Sequence, residues 1–146
     1  MSSVVQVVES TLGPAGQNAQ VPSAPQRKRA LVVDDSSTFL HMICTLLEHH
    51  GLVEVAGKAE NGLEAIDMVR TLLPELVLID AEMPEMSGLR AALVLSRICP
   101  ATRIILMTMD VSETFRAACA GCGADAVIYK PRFLQELAVL LEKEPA

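Results

Sequence analysis

Four consecutive apolar residues, Leu76 to Ile79, lead directly into an aspartate, and no other stretch constrains the fold of this chain as strongly. A short apolar run without polar alternation is typical of a strand that is buried on both faces of a sheet. Pro84 then withholds a backbone N–H and Gly88 frees the backbone, which predicts a loop before a helix that begins at Leu89. Asp80 is therefore expected at the carboxyl end of a buried strand, where open α/β sheets bind their ligands, although aspartate is also an ordinary turn residue.

Three further short apolar runs also end on polar side chains. They are Arg29 to Val33 before Asp34 and Asp35, Ile104 to Met107 before Thr108, and Ala126 to Tyr129 before Lys130 and Pro131. The carboxyl ends of parallel strands lie at one edge of their sheet. We therefore expect three carboxylates, a hydroxyl and an ammonium group to share one cleft.

Helical patterns alternate with these runs, which predicts βαβ units and a parallel sheet. A second strand fits Val53 to Lys58. The first predicted helix carries Phe39, Ile43, Leu46 and Leu47 and ends at Gly51, and the second carries Leu63, Ile66, Met68 and Val69 after a cap at Asn61. The third runs from Leu89 to Ile98, before Pro100. The fourth is a short segment from a cap at Ser112 towards Gly121 or Gly123, and the fifth runs from Phe133 to Lys143. Five strands and five helices in strict alternation predict a three-layer, doubly wound α/β fold.

Length, charge and hydropathy limit the class of protein. A chain of 146 residues is long enough for one domain with a real core, and its net charge of −6 argues against nucleic-acid binding by this domain. The hydrophobic content of 51% comes in runs too short to span a bilayer, so we expect a cytoplasmic protein that does not bind membranes. Residues 1–26, rich in Gly, Pro, Ala, Gln and Ser, are interpreted as a flexible N-terminal tail, and 27–146 as the domain.

In their order and separation, the polar residues at the strand ends resemble those of the receiver domain of two-component response regulators. The resemblance covers Arg27 to about Lys143. It implies the flavodoxin-like strand order 2-1-3-4-5, which the pattern alone does not give. It also implies a switch in which a sensor histidine kinase or a histidine phosphotransfer protein phosphorylates the chain. Phosphorylation would then change its binding to an output partner or to itself.

The resemblance assigns a role to each polar position. Asp80 is the phosphoacceptor, and a carboxylate can carry a phosphoryl group as an aspartyl phosphate. Mg²⁺ offsets the repulsion between that carboxylate and the incoming phosphate. The implied metal ligands are Asp35, Asp80 and the backbone carbonyl of Glu82, with Asp34 acting through water.

The same resemblance places the ammonium of Lys130 and the hydroxyl of Thr108 on the phosphate oxygens. It also implies a cis peptide bond between Lys130 and Pro131, which would aim the lysine at the cleft. The chain departs from the family at two positions. Val127 replaces a frequent aromatic residue, for which Tyr129 is a candidate substitute, and the bulky Met109 follows the threonine where a small residue is usual and would narrow the entrance.

Other functions remain open at this point. A small-molecule phosphatase that forms an aspartyl phosphate would need a second aspartate two residues after the nucleophile, where this chain has Glu82. A phosphate-independent interaction module on the same fold is the third possibility. The pair Cys119 and Cys122 has redox or zinc spacing, but no second pair completes a site, so free thiols are expected. His41, His49 and His50 are interpreted as surface residues of the first helix.

The last helix predicts where the output surface lies. Five apolar residues fall on one stripe of this helix: Phe133, Leu134, Leu137, Leu140 and Leu141. Val139 falls on the opposite side and is expected to be exposed. We expect output contacts on the face formed by the fourth helix, the last strand and the fifth helix. Both a stand-alone receiver and the amino-terminal module of a longer regulator fit the sequence.

Overall fold

Five parallel strands form the central sheet of the computed structural model, which describes residues 27–143. The strands are β1 (Lys28–Val33), β2 (Val53–Ala59), β3 (Leu76–Asp80), β4 (Arg103–Thr108) and β5 (Ala126–Tyr129). Their order across the sheet is β2-β1-β3-β4-β5, which confirms the expected topology. The predicted tail at 1–26 lies outside the described residues.

Five helices connect the strands or follow them. They are α1 (Ser37–His50), α2 (Gly62–Leu72), α3 (Gly88–Ile98), α4 (Glu113–Cys119) and α5 (Phe133–Glu142), with a 3₁₀ turn at Lys130–Arg132 before α5. The caps predicted at Asn61 and Ser112 are confirmed, because each side chain accepts the backbone N–H three residues later. Gly51 ends α1 in the left-handed conformation, at φ 67°. None of the helices in the described part is long and apolar enough to cross a membrane.

Alternate residues of the strands point to opposite faces of the sheet and pack into two separate cores, one on each face. On one face, Val77 and Ile79 pack with Leu106 against the α2 and α3 side chains Val69 and Leu95. This core also takes up both Cys119 and Cys122, and all four cysteines are free thiols, as expected. Because both faces are covered, the middle strands contain no exposed residue, in agreement with their unbroken apolar runs.

The other face of the sheet packs against α1 and α5. Here the predicted stripe of α5 is confirmed: Phe133 and Leu137 are buried, while Leu134, Leu140 and Leu141 pack partly buried against the same core. Val139 is 48% exposed, again as predicted. The three layers are thus α1 and α5, the sheet, and α2 and α3, and they leave the carboxyl ends of the strands at one edge.

Candidate functional site

The polar residues predicted at the strand ends meet at the carboxyl edge of the sheet. Asp80 is the last residue of β3, and Thr108 is the last residue of β4. Asp34 and Asp35 follow β1 directly, and Lys130 follows β5. One carboxylate oxygen from each of the three aspartates lies within 4.8 Å of the other two. The sequence-based expectation of one shared acidic cleft is therefore met in the geometry.

A lysine bridges the two buried aspartates of this cleft. Lys130 Nζ lies 3.0 Å from Asp34 Oδ2 and 3.2 Å from Asp80 Oδ1. The lysine side chain is only 11% exposed, and the two aspartate side chains are almost completely buried. Asp35, by contrast, is exposed. The ammonium therefore offsets part of the negative charge that the sheet edge collects, in a place that bulk water reaches poorly.

Burial and mutual repulsion shift the protonation of these groups. Burial, followed by the negative charge of Asp34, raises the pKa of Asp80 from 3.8 to about 6, although Lys130 and the backbone N–H of Glu82 both oppose the shift. For Lys130, burial alone would lower the pKa. Its ion pair with Asp34, and then the one with Asp80, outweigh burial and raise the pKa above 10.5. The lysine stays charged, while the Asp80 carboxylate is held in an unfavourable ionised state at neutral pH.

The donor set of the cleft fits a hard divalent cation. Mg²⁺ takes oxygen ligands and keeps several waters, so a few protein oxygens are sufficient. Asp34 Oδ2 is buried and accepts no well-aligned hydrogen bond among the described residues, so its contact is the ion pair with Lys130. A buried carboxylate oxygen with a spare lone pair, beside two further carboxylates, is suited to hold a cation or its water shell.

Thr108 and Glu82 are joined in a way that the sequence did not predict. Thr108 Oγ1 donates a hydrogen bond to Glu82 Oε2 over 2.7 Å and accepts one from the Asp110 N–H over 2.8 Å. The hydroxyl expected to serve a phosphate is therefore occupied by a carboxylate in this structure. A phosphoryl group on Asp80 would have to replace Glu82 as its acceptor.

The loop after β3 packs closely on the acidic strand end. Asp80 Oδ1 accepts the N–H of Glu82 over 3.2 Å, and the N–H of Gly88 donates to the carbonyl of Ala81 over 2.9 Å. A Cβ at Gly88 would collide with the carbonyl oxygen of Asp80 and lie 2.7 Å from Ala81 Cα. Glycine is needed here for close approach, and α3 can begin directly beneath the site.

The expectation of a cis peptide bond between Lys130 and Pro131 is wrong. The described residues contain no cis peptide bond. Pro131 instead lies in the first turn of the 3₁₀ helix Lys130–Arg132, where its fixed φ suits helical backbone. The lysine reaches both carboxylates from this trans backbone.

An aromatic residue of α1 also contacts the lysine, whereas its place in the sequence pattern predicts only a position on the helix. Lys130 Nζ lies 4.2 Å from the centre of the Phe39 ring. Its sequence signal was its place in the first turn of the helix that follows the acidic pair. Met109, 59% exposed, lines the same groove as Phe39 and Lys130. His41 is exposed on α1, as expected.

Comparison with known proteins agrees with this geometry. The family model described as the response regulator receiver domain matches residues 30–142. A protein-glutamate methylesterase/protein-glutamine glutaminase of Alkalilimnicola ehrlichii is 38% identical over 98 residues, which are 65% of this chain and 25% of that protein. The chain thus spans about a quarter of the length of such curated relatives.

Two solved structures show the same fold. The signal receiver domain of the response regulator NarL from Mycobacterium tuberculosis matches with a TM-score of 0.74 and 26% identity, over 81% of this chain and 96% of that one. The response regulator domain of Thermotoga maritima CheB matches with a TM-score of 0.67 and 30% identity, over 81% and 93% of the two chains. With its acidic cleft, bridging lysine and β2-β1-β3-β4-β5 sheet, this chain belongs to the response regulator receiver domain family of two-component signalling.

Proposed function

We propose that the chain is a phosphorylation-activated switch in which Asp80 accepts a phosphoryl group with the help of Mg²⁺. The observation that carries the proposal is the grouping of three aspartate oxygens within 4.8 Å of one another, with the Lys130 ammonium 3.0–3.2 Å from two of the carboxylates. An acidic cleft of this kind, with the Lys130 ammonium on one side, suits the transfer of a phosphoryl group to a carboxylate.

In the proposed mechanism Asp80 is the nucleophile. One of its oxygens forms the bond to phosphorus as the bond between phosphorus and the donor's leaving group breaks, and the product is an aspartyl phosphate. Asp35, Asp80 and the backbone carbonyl of Glu82 would hold Mg²⁺ directly, and Asp34 through water. When bound, the ion supplies charge neutralisation between carboxylate and phosphate.

Two side chains are assigned to the new phosphate. Lys130 gives up part of its contact with Asp80 and takes a phosphate oxygen, for which its mobile point charge is suited. Thr108 turns its hydroxyl from Glu82 to another phosphate oxygen. Both movements begin at the ends of β4 and β5, next to the surface that α4, β5 and α5 form. A difference of a few kilocalories per mole in phosphate contacts is enough to bias such a surface between two states.

The phosphodonor is proposed to be a sensor histidine kinase or a histidine phosphotransfer protein. The receiver itself would catalyse only its own phosphorylation and dephosphorylation. The curated relatives are methylesterases and glutaminases, and they are about four times as long as the part that this chain matches. They support an enzyme as one kind of output for this receiver, whether in the same chain or in a separate partner. The excess of negative charge supports a protein, rather than a nucleic acid, as the direct partner of this domain.

The output surface is proposed on α4, β5 and α5. A groove of about 410 Å³ lies there between Val127 and Val139, and Arg132 and Glu136 supply its charged rim. Both valines are exposed, at 40% and 48%. The Val139→Glu variant should be phosphorylated normally but should lose phosphorylation-dependent partner binding or self-association.

A matched control for the output surface is available on α2. Leu63 is 62% exposed, and it lies on the opposite face of the sheet. Leu63→Glu introduces the same charge and should leave output binding intact. If Val139→Glu binds as well as wild type, the output surface lies elsewhere.

The experiment that tests the proposed function is phosphorylation by a small acyl phosphate such as acetyl phosphate, followed by intact mass. Wild type with Mg²⁺ should gain one phosphoryl group that hydroxylamine removes, because hydroxylamine cleaves acyl phosphates. Removal of the metal with a chelator should abolish the gain. A protein that gains the group equally without divalent ions, or that gains none at any metal concentration, contradicts the proposed function.

A further inference from the structure

Three groups surround the Lys130 ammonium among the described residues. The carboxylates of Asp34 and Asp80 lie at 3.0 and 3.2 Å, and the centre of the Phe39 ring lies at 4.2 Å. The lysine side chain is 11% exposed, so the ring takes a place around the cation that water would otherwise fill. An aromatic face carries partial negative charge and attracts a cation at this distance, most strongly where the cation has lost water.

Phe39 is tied to the acidic loop by a short chain of hydrogen bonds. The N–H of Ser36 donates to Asp34 Oδ1 over 2.9 Å, and Ser36 Oγ accepts the N–H of Phe39 over 3.2 Å. Asp34 and Phe39 therefore belong to one capped turn that contacts the same ammonium at two points. The ring is half-buried against the core between the sheet, α1 and α5, which restricts its movement.

The ring and the carboxylates differ in what happens to them during phosphorylation. A divalent cation on the aspartates would weaken their pull on the lysine, and bond formation at Asp80 would consume that carboxylate's charge. The attraction of the Phe39 ring is uncharged and is not used by either event.

We propose that Phe39 is a positioning residue whose ring holds the Lys130 ammonium at the cleft, so that the incoming phosphoryl group meets a positive charge already in place. The proposal rests on the proposed function of Asp80 as phosphoacceptor. It assigns to an α1 aromatic residue a role in the rate of phosphoryl transfer that is separate from its packing.

The test compares the initial rates of phosphorylation by acetyl phosphate, with Mg²⁺ saturating, in matched variants. Phe39→Leu keeps an apolar side chain and removes the ring, and its rate constant should fall about tenfold, equivalent to about 1.4 kcal/mol. Phe39→Tyr keeps the ring and should restore the rate. Met42→Leu, one turn later in the same groove, is the control for packing and should react like wild type. The Mg²⁺ affinity of all three variants should stay that of wild type.

Two further measurements show whether the ring acts through the lysine. In a double-mutant cycle, Phe39→Leu should change the rate little once Lys130→Ala is present, because the group that the ring positions is gone. In NMR spectra of the unphosphorylated protein, the ε-methylene protons of Lys130 should show an upfield ring-current shift. Phe39→Leu should remove this shift, and Phe39→Tyr should keep it.

The contradicting results separate this inference from the proposed function. Equal rates in wild type and Phe39→Leu, or the same loss in the Lys130→Ala background, overturn the positioning role while leaving Asp80 as acceptor. A Lys130 methylene without a ring-current shift also overturns it. A wild-type protein that accepts no phosphoryl group contradicts the proposed function itself, and the positioning role then falls with it.

Discussion

Replacing Asp80 with asparagine should stabilise the metal-free protein at neutral pH. The residue is 2% exposed, and the pKa of its carboxyl is raised from 3.8 to about 6 by burial and by Asp34, in spite of Lys130. The unfolded chain loses this proton near pH 4, whereas the folded protein keeps it until about pH 6. The free energy of unfolding therefore falls as the pH rises from about 4 through the folded pKa of about 6, and the loss is complete about one pH unit above that pKa. Asparagine is close in shape to the neutral acid and never ionises.

The size of the effect follows from the pKa shift. A shift of about two pKa units, at about 1.4 kcal/mol per unit, corresponds to about 3 kcal/mol between the charged and neutral forms in the folded protein. We expect Asp80→Asn to gain about 2–3 kcal/mol at pH 7.5 and almost nothing at pH 4. Urea unfolding of both proteins at the two pH values, with a chelator present, measures the difference directly.

Mg²⁺ binding is the control for this experiment, and the comparison of pH 7.5 with pH 4 can refute the electrostatic account. A ligand at a hundred times its dissociation constant stabilises the protein that binds it by about 2.7 kcal/mol. Saturating Mg²⁺ should therefore stabilise wild type but not Asp80→Asn, and remove most of the difference at pH 7.5. If Asp80→Asn is less stable than wild type at pH 7.5, or if its gain is the same at pH 4, the electrostatic account of the cleft is wrong.

Three more substitutions test other parts of the account. Asp35→Ala should weaken Mg²⁺ binding at least tenfold in a calorimetric titration, since it removes a direct ligand; unchanged affinity would defeat that assignment. Met109→Ala should speed labelling by acetyl phosphate, because the bulky side chain limits access; an unchanged or slower rate would show that it is turned away from the entrance. Gly88→Ala should cost about 1–3 kcal/mol in urea unfolding because its Cβ meets backbone, whereas Gly62→Ala, also at a helix start, meets a flexible methionine and should cost less. Equal costs would contradict the close-approach argument.

Most of the fold could be predicted from the sequence because its signals are local. The run Leu76–Ile79 is buried on both faces, and the caps at Asn61 and Ser112 act within three residues. The strand order is a non-local property, which the pattern does not contain and the family resemblance supplied. Leu63 was assigned to the apolar pattern of α2 but is 62% exposed. The buried stripe of α2 runs through Ala65 and Val69, spaced by four, and residue 63 falls off it.

The grouping of residues at the site was also predictable from the sequence, but their side-chain contacts were not. Parallel strands bring their carboxyl ends together, so residue type and position were enough to group Asp80 with Lys130. Contacts between side chains from separate elements were not predictable, because they depend on side-chain directions that no sequence spacing encodes. The bond from Thr108 to Glu82 and the ring of Phe39 under the lysine are of this kind. The roles of the site residues in phosphorylation remain predictions for experiment.

Locating the phosphoryl group is the most direct test of the central claim. Wild-type protein is phosphorylated with acetyl phosphate and Mg²⁺ and then reduced with borohydride, which converts an aspartyl phosphate to homoserine at the modified position. Peptide sequencing by tandem mass spectrometry should find homoserine in place of Asp80, and Asp80→Asn should yield no homoserine anywhere. Homoserine at Asp34 or Asp35 in wild type, or a stable phosphate on a histidine such as His41, would contradict the assignment of Asp80 as the phosphoacceptor.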